Sequence, residues 1–132
     1  MENSTFVAVR KLSTIQEREK LNDVYAMDEP GNGGANHTYA VYKSGETPTI
    51  LNEPLVIIQL QNGARKIPDS IHGVIDSDLL EIVRDRLKSF QNGEFATREN
   101  ARALTHIEDA LIWLNRRVED RIERNVLGTD NK

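Results

Sequence analysis

The chain contains no cysteine, which excludes a disulfide framework and a thiolate metal site and suits a reducing compartment. Aromatic residues are scarce at 5%, and the hydrophobic fraction is only 38%. A core drawn from so little must be thin, and a thin core is often completed by a neighbouring subunit. Long apolar runs are missing too: no segment approaches the ~20 residues a membrane helix needs. The opening "MENSTFVAVRKLSTIQEREK" lacks the basic start and apolar run of a secretion signal. A soluble, intracellular protein is expected. Positive charge is also not in excess. With a formal net charge of −4, no global field draws in polymeric nucleic acid, and any anion site must be a local set of arginines.

What is there divides by its hydrophobic period. The length of 132 residues suits one domain, with a β-rich region over 1–75 and a helical hairpin over 76–132. In the first part the pieces are short and strand-like. "HTYAVYK" (37–43) alternates, and "EPLVIIQLQNG" (53–63) is an apolar run closed by an Asn-Gly turn signal. "TFVAVRKL" (5–12) and the stretch around Ile71 to Val74 are further strand candidates. A small antiparallel sheet follows from these.

Beyond residue 76 the period becomes helical. "DSDLLEIVRDRLKSFQNG" offers Asp76 or Ser77 as N-cap, apolar Leu79, Leu80, Ile82, Val83, Leu87 and Phe90, and Gly93 as a stop. Thr97 then caps a second helix running from Arg98 to about Val126, where Gly128 ends it. That helix would be ~40 Å long, about twice the first. The fold class is α+β: a small N-terminal antiparallel sheet followed by an unequal C-terminal α-helical hairpin. The distal half of the long helix has no partner in its own hairpin, yet its apolar positions continue. Homo-oligomerisation is therefore expected.

At 100° per residue, Leu104, Ile107, Leu111, Leu114, Val118 and Ile122 form one buried stripe. Trp113 falls nearly opposite, among Arg102, His106, Arg117, Arg121 and Arg124. Such a face suits base stacking and phosphate pairing, and equally a subunit interface. The interleaved Asp109, Glu119, Asp120 and Glu123 also suit a plain solvated face. Asn100 projects into the apolar sector one turn before Leu104, with Phe90 expected nearby. An amide beside an aromatic fits a flat purine-like ring, although Asn is also common near helix starts.

Gly31, Gly33 and Gly34 in "MDEPGNGGANHTY" (27–39) could cradle a phosphate. The loop lacks the Lys-Ser/Thr ending and following helix of a P-loop, which favours a surface connector. His37, His72 and His106 lie too far apart in sequence for metal-ligand spacing, so neither metal nor cofactor is expected. No triad or paired-carboxylate constellation argues for an enzyme.

"DRLKSFQNGEFATRENARALTHIEDALIWLNRRVEDRIERNVLGT" (85–129) resembles the C-terminal hairpin of phage anti-Thoeris proteins of the first described type. These are sponges that sequester glycocyclic ADP-ribose immune signals. Through "LTHIEDALIWLNRRV" it is also similar to the phage anti-CBASS sponge for cyclic oligonucleotides. "DVYAMDEPGNGGANHTYAVY" looks like the N-terminal part of the anti-Thoeris family. The resemblance implies dimers assembling into a hexamer in the host bacterial cytoplasm, with signal bound intact between subunits. It assigns ligand contacts to Phe90, Asn100 and Arg117, with His37, Tyr39, Arg116 and Arg121 as further candidates. It also implies a second, cyclic-trinucleotide site where Arg98, Arg102 and Thr105 could meet phosphates. Trp113 is left for the subunit interface. The competing readings are a structural or regulatory oligomerisation protein without a nucleotide ligand and a small DNA-binding regulator, the latter disfavoured by the acidic balance.

Overall fold

The computed structural model describes residues 9–132. The chain divides into two compact units: residues up to Gly63 with Ile71–Gly73, and Ala64–Ser70 with Val74–Lys132.

The first unit is a four-stranded antiparallel sheet in chain order, β1 (Arg10–Lys11), β2 (Asn22–Ala26), β3 (Thr38–Lys43) and β4 (Val56–Gln59). Strands β3 and β4 lie where alternation and the apolar run predict them. Of the first strand candidate, residues 5–8 lie outside the described residues, and Arg10–Lys11 pair with β2. Strand β2 is not among the expected strands. Its sequence, Asn-Asp-Val-Tyr-Ala, carries a charge and is too short to show a period. The strand expected around Ile71 to Val74 is reduced to isolated bridge residues, Ile71, which pairs with Asn62, and Val74. The reason lies at Gly73, whose N–H donates to the Gln61 side chain (3.1 Å).

The sheet core is small. Among the described residues the buried apolar ones are Tyr25, Ala26, Ala40 and Tyr42. Tyr25 stands opposite Ala40 across β2 and β3, which leaves room for its ring to meet Tyr42 edge-on at 5.7 Å. Asp23, on the same face of β2 as Tyr25, is buried with them at 3% exposure.

The second unit is the helical hairpin, α1 (Asp76–Gln91) and α2 (Arg98–Glu123), of 16 and 26 residues. The N-cap of α1 is Ile75 rather than Asp76 or Ser77. Isoleucine has no side-chain acceptor, so the cap is built by Asp78. Its carboxylate accepts the Ile75 N–H at 2.9 Å, and its own N–H donates to the Ile75 carbonyl at 2.9 Å. Asn92 closes the helix in a right-handed conformation, so Gly93 is not the left-handed stop expected of it. Thr97 caps α2 as the sequence predicts, its hydroxyl accepting the Asn100 N–H at 3.0 Å.

The far end of α2 comes three residues earlier than Val126. Asn125 adopts φ 60°, the Val126 N–H returns to the Arg121 carbonyl (2.9 Å), and the Asn125 N–H returns to Ile122 (2.9 Å). This is a Schellman ending with asparagine in the glycine position. Neither helix buries a side chain fully. Leu104, Ile107, Leu111 and Val118 are half-buried, whereas Leu114 and Ile122 are exposed. The expected stripe is therefore only partly covered, because a 16-residue helix cannot span a 26-residue one.

Candidate ligand site at the helical hairpin

The turn between the helices gathers two aromatic rings and an amide. Phe90, on the last turn of α1, meets the ring of Phe95 at 6.4 Å and an interplanar angle of 89°. The Asn100 amide, on the first turn of α2, donates to the Phe95 carbonyl at 3.5 Å. That contact is at the outer limit of a hydrogen bond, so the amide is readily exchanged to another partner. The loop itself is fixed from behind, where the Thr97 N–H donates to the Gln91 side chain at 3.0 Å. Asn100 and Phe90 are half-buried, while Phe95 is 68% exposed. The Arg86 guanidinium, one helical turn before Phe90, lies over its ring at 5.3 Å.

The hairpin arginines separate into committed and uncommitted groups. Arg84 binds Glu108 on α2 (2.8 Å) and Glu81 (3.3 Å). These bonds, that from Glu108 first, raise its pKa above the ordinary arginine value. The clamp closes over a hollow of about 360 Å³ lined by Glu81, Arg84, Glu108, Leu111 and Ile112. Arg124 pairs with Asp120 at 3.0 Å. Arg121 donates to the carbonyls of Val126 and Thr129, both at 3.0 Å, and so holds the end of α2. Among the described residues no carboxylate pairs with Arg86, Arg98, Arg102, Arg116 or Arg117. Arg116 lies over the ring of Trp113 at 4.9 Å, and that ring is 66% exposed. Arg117 is on the same helix as Asn100 but 17 residues on, roughly 25 Å along the axis. One chain does not bring the two together. Arg98, Arg102 and Thr105 do share an exposed face, within about 60° of one another around α2.

His37 and Tyr39 belong to the sheet unit, alternating onto one face of the β3 segment. His37 is buried at 8% exposure, and its Nδ1 finds no protein partner. The glycine loop before it is a stapled connector. The Asp28 carboxylate accepts the backbone N–H of His37 and of Thr38 at 3.1–3.2 Å. The N–H groups of Gly31 and Gly34 are spent within the loop, on Ala35 and Gly31, which leaves a poor phosphate cradle. Among the described residues no three His, Cys, Asp or Glu gather as a metal site, and no helix is long and apolar enough to cross a membrane.

Residues 56–119, from β4 through most of α2, match the family model described as "Acb2/Tad1, hairpin domain". This chain carries an Acb2/Tad1 hairpin domain. It is also 51% identical over 61 residues to "Thoeris anti-defense 1" of Bacillus phage SBSphiJ7, covering 46% of this chain. The chain spans 43% of that relative's length in this match. The resemblance read from residues 85–129 is thereby shown. Within the hairpin domain, Phe95 and Arg86 escape the sequence reading, although they stand beside Phe90. Arg86 is legible as an i,i+4 partner of Phe90, but nothing in the local pattern marks it off from Arg84, two residues before.

Proposed function

We propose that this protein is a phage-encoded anti-defence sponge that binds glycocyclic ADP-ribose signals of the Thoeris system and holds them without cleavage. One observation carries the reading. A chain 51% identical over 61 residues to a protein named Thoeris anti-defense 1 presents, at the turn of its helical hairpin, perpendicular phenylalanines beside an adaptable amide. Such a corner takes a flat base by stacking and reads its edge by hydrogen bonding. Arg117 then supplies a planar fork for phosphate. Since Arg117 stands roughly 25 Å from Asn100 along α2, one ligand touching both is bound by two copies of the chain. The exposed Trp113 face and the uncovered end of the leucine stripe supply apolar surface for that assembly, as dimers building a hexamer. Arg98, Arg102 and Thr105 on their shared face are the proposed contacts for cyclic trinucleotides at a second site. The place of action is the host bacterial cytoplasm.

Protection by a sponge is mass action, so affinity and slow release matter and turnover does not. Titration calorimetry with glycocyclic ADP-ribose is expected to show tight binding, and heating the complex to return unmodified ligand. Recovery of a cleaved product makes the protein an enzyme and rejects the reading. Asn100→Ala and Arg117→Ala are expected to weaken binding at least about tenfold while the oligomer persists. A second reading, an oligomerisation protein without a nucleotide ligand, draws on the exposure of Ile112 at 58% and Ile122 at 49%. A correctly assembled oligomer that binds no cyclic nucleotide would establish it.

A further inference from the structure

We infer that Arg86 and Phe95 are themselves ligand contacts at the hairpin turn, Phe95 for the face of a base and Arg86 for a phosphate. The inference rests on the nucleotide-binding reading above and names two contacts beyond it. Two arginines on one helix, two residues apart, show why. Arg84 is neutralised by two carboxylates and joins the helices. Arg86 faces the other way, exposed, with the ring of Phe90 as its neighbour and no carboxylate among the described residues within ion-pair distance. A guanidinium held over an aromatic face keeps its planar fork oriented while its N–H donors stay free. The α2 N-terminus opens beside the same turn, where the helix dipole adds to the positive potential.

Phe95 is unusual in the opposite sense. It is an apolar ring, 68% exposed, on a loop whose backbone is tied down by the Thr97–Gln91 bond. Its perpendicular stance to Phe90 leaves ring surface open toward solvent instead of closing the pair on itself. A base stacked there has the Asn100 amide within one residue's reach of its edge. The Arg86 guanidinium, over the ring of Phe90, is the cation next to that corner for the attached phosphate. Base, amide and phosphate are thus met by four side chains from one turn.

Calorimetry with glycocyclic ADP-ribose on the full assembled protein tests this, with thermal melting to confirm folding. Arg86→Ala is expected to weaken binding about tenfold and to flatten its dependence on salt, since the lost contact is ionic. Phe95→Leu is expected to weaken it to a similar degree, and Phe95→Trp to retain or improve it, because stacking needs a ring and not merely bulk. If the wild type binds and all three variants bind within twofold of it, this inference is overturned while the sponge reading stands. If the wild type itself does not bind, both fall. Loss of affinity in Arg86→Ala with an unchanged salt dependence rejects the phosphate contact.

Discussion

The guanidinium of Arg84 lies 2.8 Å from the carboxylate of Glu108, across 24 residues of sequence. It is the ion pair that links α1 to α2 among the described residues, and Glu81 steadies it from the same helix at 3.3 Å. Both groups are partly open to water, so the pair sets the alignment of the helices more than it adds stability. Glu108→Gln and Arg84→Met are each expected to lower the melting temperature by about 2–4 °C, with the difference shrinking at high salt. A double-mutant cycle with no coupling between the two positions would show that the geometry is incidental.

Gly73 and Gly93 make a contrast that stability measurements can resolve. A Cβ at Gly73 would lie 2.3 Å from the Gln59 carbonyl oxygen and 2.7 Å from the Leu60 carbonyl carbon. Both are backbone atoms that cannot move aside as a flexible side chain would. Gly73→Ala is expected to destabilise by at least about 1–3 kcal/mol in urea unfolding. At Gly93 the nearest atoms would be 3.7 and 3.9 Å away. Its φ is not left-handed, so Gly93→Ala is expected to be neutral or mildly stabilising.

Acid is expected to loosen the sheet through Asp23. Its carboxylate accepts the Gly45 N–H at 3.2 Å and faces Lys20 at 3.5 Å and Lys11 at 3.7 Å. The hydrogen bond from Gly45, with the two lysines, holds its pKa below the usual carboxylate range, against the opposing effect of burial. Because the folded value is depressed, the stabilisation is fully present above the unfolded value of about 4 and drains as pH falls through the folded value. The near-ultraviolet signal of Tyr25 and Tyr42 should report this loss. Asp23→Asn should flatten that acid dependence and lower stability at neutral pH; an unchanged acid profile would assign the loss to other groups.

Much of the fold is legible without coordinates. The change from alternation to a 3.6-residue period locates both helices, and Thr97 announces the start of the second. Strand β2 escapes because its burial depends on partners elsewhere. Asp23 is tolerated beneath the tyrosines only because Lys11, Lys20 and Gly45 converge on it. The helix ends miss by a few residues for a similar reason. Ile75 is a poor cap by type that Asp78 makes serviceable, and Asn125 tolerates the left-handed conformation that ends α2 before Gly128, with the Arg121 side chain holding that end.

At the site, sequence periodicity puts Trp113 off the leucine stripe and singles out Asn100 as a polar residue in an apolar sector. Periodicity is a property of each residue's own helix, so one chain's sequence determines it. Which arginine is spent and which is free is a different kind of fact. Arg84 and Arg86 have the same chemistry and nearly the same neighbours in sequence. Only the packing of α1 on α2 brings Glu108 to the first, while the second keeps Phe90, its own i,i+4 neighbour on α1. The sequence supplied the arginines; the hairpin decided their partners, because a charge is neutralised through space and not along the chain.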